Sequence, residues 1–105
     1  MARLIVAQVC HAARVSRRDG EALRHVLEEH WGDQDQLVLD FKDVVIASVS
    51  FFDESFGVLA QNHPLAELTK RIRVENIQPD DRKLLNTIVL ARKRERETRL
   101  AQARG

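Results

Sequence analysis

The run from Leu37 to Leu59, LVLDFKDVVIASVSFFDESFGVL, decides the fold. The apolar stretch Gln36–Phe41 reads as a strand, Asp40-Phe41-Lys42-Asp43 makes the turn out of it, and Val44-Val45-Ile46 is a further extended run. The connection is so short that the two runs are either a tight hairpin or one strand continuing past a kink. The second is favoured, with the Asp43 turn reshaping the strand end and leading directly into a helix. Ser50 is placed as the N-cap of that helix, with Asp53 three residues on and Glu54 beside it. Carboxylates there satisfy orphan N–H groups and complement the positive end of the helix dipole. Phe52, Phe56 and Leu59 give the helix an inward face, with Phe51, Ser55 and Val58 alongside.

Towards the N-terminus, Leu4–Val9 is apolar with little polar interruption, which suits a strand covered on both faces. Ser16-Arg17-Arg18-Asp19 is a variant of the capping box and opens a helix expected over 17–31. Leu23, Val26, Leu27 and Trp31 share one face, Arg24, Glu28 and Glu29 lie on the other, and Gly32 ends the helix. Gly20 inside its first turns costs about 1 kcal/mol against alanine, which points to close backbone packing.

Towards the C-terminus, Asn62-His63-Pro64 ends the central helix, Leu65–Thr69 forms a helical turn, and 71–76 is a last strand. Pro79-Asp80-Asp81 starts a final helix with a buried stripe of Leu84, Leu85, Ile88 and Ala91. Past Arg92 only Leu100 interrupts a polar surface, so this end either projects into solvent or frays. The alternation of strands and helices predicts an α/β architecture, with about four strands in a mostly parallel, mixed sheet and helices packed on it.

At 105 residues, 44% hydrophobic and 31% charged, the chain is expected to hold one core and lies outside the compositional range of disorder. Cys10 is the only cysteine, which excludes an intramolecular disulfide and a multi-thiolate zinc site; it reads as a buried, inert thiol. His25 and Glu29 stand one turn apart, but two ligands are not a metal site, and His25, His30 and His63 read as surface histidines. No metal and no cofactor are expected. The apolar run before Cys10 is too short for a signal-peptide core, and no segment is long enough to span a membrane, so a soluble cytoplasmic protein is expected. Residues 92–104 hold six Arg/Lys against two Glu, a net of +4, so the remainder of a +1 chain carries −3. Nucleic-acid binding is therefore unlike the body and concerns only the basic tail.

The LDFKDV run, Ile46 to Ser50, and Phe51-Phe52-Asp53-Glu54, with Arg18 and Gly20 at the preceding helix start, resemble the STAS-like family of small bacterial proteins. That family's pattern is Leu-Asp-Phe, a variable turn, then Ser-Phe-x-Asp/Asn-Glu. The resemblance spans roughly residues 4 to 91 and implies a STAS-like sandwich over 1–91, with 92–105 as a basic helical extension or tail. More distantly the chain is similar to the STAS domain of anti-sigma-factor antagonists and of sulfate transporters. This resemblance implies a signalling and binding module, in which a serine at the strand-to-helix junction is phosphorylated by a histidine-kinase-like ATPase and the modification releases the partner. The parent domain carries Asp-Ser-Ser-Gly at the junction. This chain carries Ala47-Ser48-Val49-Ser50-Phe51, so the phosphoacceptor position falls on Val49 with a serine on either side.

Ser50 and Ser48 are thus the phosphorylation candidates, and Phe51, Asp53 and Glu54 the partner-binding candidates. Nothing supplies a nucleophile with a base, an oxyanion hole or a Gly-rich phosphate cradle, so an enzyme is not expected. The alternative is a nucleic-acid-associated regulator using Arg92, Lys93, Arg94, Arg96 and Arg99. A third reading is a homodimer formed through strand edges or the Phe51 face.

Overall fold

A computed structural model describes residues 2–32 and 36–104. Three strands, β1 (Ala2–Ile5), β3 (Leu37–Asp40) and β5 (Ile72–Glu75), form a parallel sheet in the order β1-β3-β5. β2 (Arg14–Val15) and β4 (Val45–Ile46) form a second, two-stranded parallel sheet. The described strand pairs are all parallel, and the main sheet has three strands where about four in a mixed sheet were expected. The α/β class holds. Central β3 is covered on both faces, with Leu37, Val38 and Leu39 all buried, as a middle parallel strand requires.

Two sequence expectations change here, and both changes come from where strand pairing stops. The strand expected over Leu4–Val9 ends at Ile5, whose register partner is Asp40, the last residue of β3. Beyond it the backbone has no neighbour to pair with, and Val6–Val9 closes into a helical turn, α1, that buries Val6 in the core. Likewise the run through Val44–Ile46 is neither a hairpin nor a kinked continuation of β3. Asp43 takes a left-handed φ of 60°, Val44 N–H donates to the Phe41 carbonyl at 3.1 Å, and the chain leaves the sheet. Val45 and Ala47 N–H then donate to the Ala13 and Val15 carbonyls, both at 2.8 Å, which makes β4 a partner of β2.

Arg3 of β1 reaches the carboxyl ends of the other two strands, binding Asp40 at 3.2 Å and Glu75 at 2.7 Å, and so joins β1, β3 and β5. Asn76 and the Lys42 N–H also donate to Asp40 Oδ1, each at 2.9 Å. These two donors, with Arg3 helping, hold the Asp40 carboxyl below its usual range.

The helices follow local chemistry. α2 (Arg17–Glu29) starts on a capping box in which Ser16 N–H donates to Asp19 Oδ2 at 2.9 Å, and it buries Leu23 and Leu27. Each of these leucines contributes about 1.5–3 kcal/mol of burial. The central helix runs through α3 (Ser50–Phe52), a π-helical turn (Asp53–Gly57) and α4 (Val58–Asn62) without a break. α5 (Leu65–Arg71) leads into β5, and α6 (Pro79–Arg104) closes the chain. On α6, Leu85 and Ile88 are buried and Val89 packs against the core, while Ala91, expected in the stripe, is exposed. The inward stripe continues instead as Arg92, Arg96 and Arg99 at helical spacing, so the basic extension lies along α4 rather than projecting freely.

Gly20 of α2 is where the two helices touch. A Cβ there would stand 2.4 Å from the Phe51 carbonyl oxygen and 3.1 Å from Phe51 C and Cα, all backbone atoms that cannot step aside. Alanine would gain about 1 kcal/mol of helix propensity, but a 2.4 Å approach to an immovable backbone oxygen lies in the upper part of the overpacking range, about 2–3 kcal/mol. Gly20→Ala should therefore destabilise by about 1–2 kcal/mol net in urea unfolding. Gly32→Ala, with nothing within 4 Å of the new Cβ, should not. A Gly20→Ala protein as stable as the parent would refute the contact.

Candidate functional site

β4 feeds the central helix through Ala47, Ser48 and Val49. Ser50 was expected to cap this helix, but the helix already includes it: Val49 has helical dihedrals (φ −54°, ψ −30°) and its carbonyl accepts from Phe52 and Asp53 N–H. Ser48 holds the cap position instead. Its Oγ accepts from Ser50 N–H at 3.2 Å, and its carbonyl accepts from Phe51 N–H at 3.0 Å. The half-buried Ser50 hydroxyl has no hydrogen-bond partner among the described residues. Val49, at 49% exposure, is the apolar side chain the junction shows to solvent.

Phe51, expected at a contact surface, is fully buried. Its ring meets Phe52 at 5.5 Å and Phe41 at 6.3 Å between centroids, so it belongs to the core and offers no face to a partner or a second copy. In place of the parent domain's glycine at this position the fold has a core anchor; the close backbone approach is supplied across the interface by Gly20.

Asp53 and Glu54 sit in the first turns as expected, but they bind arginines from other elements instead of capping. Glu54 accepts from Arg17 at 3.0 Å and Arg24 at 3.4 Å, and Arg24 also donates to the Glu54 carbonyl at 2.8 Å. Asp53 lies 3.6 Å from Arg92. The helix widens here because Ser55, fully buried, donates its hydroxyl to the Phe51 carbonyl at 2.7 Å, and Val58 N–H reaches back five residues to Asp53. Gly57 then lets α6 come close, since a Cβ there would be 3.3 Å from Ile88 and 3.5 Å from Arg92. The π-helical turn was not foreseen. Its signal was the small Ser55 and Gly57 within an otherwise bulky helix.

The basic candidates are largely engaged with the body or with each other's turns. Arg92 pairs with Asp53 and Glu95, Lys93 with Glu97 at 3.3 Å, and Arg99 donates to the Gln61 carbonyl at 3.0 Å. Arg96 lines a cleft against Ala60 and Pro64 with its Nε buried and unbonded. Arg94 is exposed.

Among the described residues no group of three or more His, Cys, Asp or Glu comes together in a way that could hold a metal, and no helix is long and apolar enough to cross a membrane. The Cys10 thiol donates to the Asp19 carbonyl at 3.6 Å, and burial, with Asp19 nearby, pushes its pKa up to about 11. It is a packed, unreactive group. His63, expected on the surface, is half-buried and stacks on Trp31 at 4.1 Å, with the Arg71 guanidinium over the same ring. Burial lowers its pKa first, Arg96 and Arg71 add to this, and Glu28 and Glu67 oppose it.

A family model described as a STAS-like domain of unknown function (DUF4325) matches residues 19–82, more than half of the chain, from the first turn of α2 to the first turn of α6. Neither a functionally curated protein nor a solved structure matches it.

Two measurements follow from this geometry. Ser48→Ala should cost about 1 kcal/mol in urea unfolding, as loss of a cap does, while Ser50→Ala should stay within about 0.5 kcal/mol of the parent. The reverse order would restore Ser50 as the cap. For His63, the folded state binds the proton less readily than the unfolded chain, whose value is near the ordinary 6.5. Its contribution is therefore complete above that pH and is lost as pH falls from 6.5 towards the lower folded-state value. The urea midpoint should fall over that window, and by less in His63→Phe, which keeps a ring on Trp31; equal falls would exclude His63 as the cause.

Proposed function

We propose that this chain, which belongs to the STAS-like family (DUF4325), is a non-catalytic protein-interaction module that docks a partner at the start of the central helix. Phosphorylation of Ser50 by a histidine-kinase-like ATPase partner controls that docking. The observation that carries the reading is the Ser50 hydroxyl. It is partly accessible and without an internal partner, while Ser48 is committed to the backbone of the same turn. Exposed Val49 beside it supplies apolar contact, and Asp53 and Glu54 lie three and four residues further along the helix. Phe51 drops out of the contact surface, and the face consists of Val49, Ser50, Asp53 and Glu54.

The charge arithmetic explains why such a modification would act as a switch. A phosphate adds about −1.5 to −2 at neutral pH. At a helix start the chain itself tolerates it, because the positive end of the helix dipole favours an anion there. Four residues apart on a helix, residues 50 and 54 share a face, so the new charge joins Glu54 and draws on Arg17, which is 70% exposed and 3.0 Å from Glu54. A partner packed against Val49 would then meet an added, strongly hydrated anion, which desolvation opposes. A partner that consumes ATP suits the cytoplasm.

The nucleic-acid alternative loses support from the same contacts, since Arg92, Lys93 and Arg99 already have protein partners. Ser50→Ala and Ser50→Asp should both fold. Against a partner captured from the native host and then purified, Ser50→Asp should bind at least about tenfold more weakly than Ser50→Ala, a difference of about 1.4 kcal/mol. If both bind like the parent, the switch is wrong.

A further inference from the structure

The sheet's β5 edge is overhung by α5 and α6, and these elements, with Phe56 of the central helix, enclose an open cleft of about 210 Å³. Its walls are apolar: Phe56, Leu68, Ile72, Val74, Leu85 and Val89. Two polar side chains of α6 join this lining, Arg82 and Asn86, one turn apart. Positions 82, 85, 86 and 89 share one helix face, so a cation and an amide stand directly beside two of the apolar walls.

The geometry points to a binding site for a small aliphatic monocarboxylate, its chain in the cleft and its carboxylate on Arg82 and Asn86. Three observations select this occupant. The first concerns the sheet edge, where an added strand would need the outward carbonyl of Val74. Arg82 Nη2 already donates to that carbonyl at 3.1 Å, which blocks strand addition there. The second is size: about 210 Å³ equals roughly seven water volumes, enough for a chain of about eight carbons and too little for a docked helix. The third is charge. Among the described residues Arg82 pairs with no carboxylate and the Asn86 side chain has no hydrogen-bond partner. The bond to Val74 spends one of five guanidinium N–H donors and holds the group in place, leaving the others for a planar, bidentate acceptor. An apolar pocket with a few convergent polar groups is the arrangement small-molecule sites use.

This inference does not rest on the phosphoswitch, since the cleft is lined from α5, β5, α6 and Phe56 of the central helix and not from the β4–α3 junction. The test is titration of the folded chain with sodium octanoate, followed by amide chemical shifts. Saturable shifts confined to residues around Leu68, Ile72, Val74, Leu85 and Val89 are expected, with half-saturation at about 1 mM or tighter. In the parent protein 1-octanol, the same chain without the charge, should bind at least about tenfold more weakly. Arg82→Gln, at an exposed position, should weaken octanoate about tenfold and leave 1-octanol unchanged. The proposal is overturned if no saturable shifts appear by about 5 mM, or if the shifts spread over the whole surface. It is equally overturned if octanoate and 1-octanol bind alike, or if Arg82→Gln binds octanoate as the parent does.

Discussion

The Phe51 carbonyl oxygen lies where a side chain on residue 20 would begin, and the arrangement of the whole helical layer depends on that contact. Because Gly20 has no Cβ, α2 can lie directly on the first turn of the central helix. Arg17 and Arg24 are then within reach of Glu54, Ser55 bonds the same Phe51 carbonyl, and the rings of Phe51 and Phe52 turn into the core. One oxygen thus meets a neighbouring helix on one side and a buried hydroxyl on the other. The π-helical turn immediately after it shifts the later part of the helix, bringing Gly57 against Ile88 and Arg92 of α6.

Charge follows the same logic of local neutralisation. Arg3 of β1 closes the carboxyl ends of β3 and β5, Glu54 closes the α2 side of the central helix, and Arg92 closes the α6 side through Asp53. A basic tail and a mildly acidic body therefore are not two separate surfaces. The arginines of the extension continue the inward stripe that Leu85 and Ile88 begin; Arg92 and Arg99 reach acceptors where those two residues reach hydrophobic neighbours, while Arg96 keeps a buried, unbonded Nε. Exposed pairs of this kind contribute little stability each; their effect is to orient α6 along α4. What stays without a full set of partners is informative for that reason: the Ser50 hydroxyl at the junction, Arg96 Nε beside α4, and at the cleft Asn86 together with Arg82, which pairs with no carboxylate among the described residues.

Much of the fold was legible from local chemistry. The Ser16–Asp19 capping box starts α2, the periodicity of Leu23 and Leu27 orients it, Asn62-His63-Pro64 ends the central helix, and Pro79-Asp80-Asp81 opens α6. The cost of Gly20 in a helix correctly signalled a backbone contact, though not its partner. Errors arose where a long-range partner decides the outcome. Val6–Val9 has strand composition but no strand beside it, and Val44–Ile46 follows β3 in the chain but pairs with β2. Composition cannot report which neighbour is missing.

At the candidate site the division is similar. The sequence by itself determined that a polar, acidic helix start follows a buried Leu-Asp-Phe strand, because N-terminal turns favour hydroxyls and carboxylates and middle strands require apolar runs. Only the tertiary structure decided that Ser48 caps while Ser50 is left free, that Phe51 is core, and that Asp53 and Glu54 answer to Arg92, Arg17 and Arg24. Those assignments depend on the helical φ and ψ of Val49 and on the approach of two other helices. Which residues meet across 30 or more positions of chain leaves no trace in local pattern.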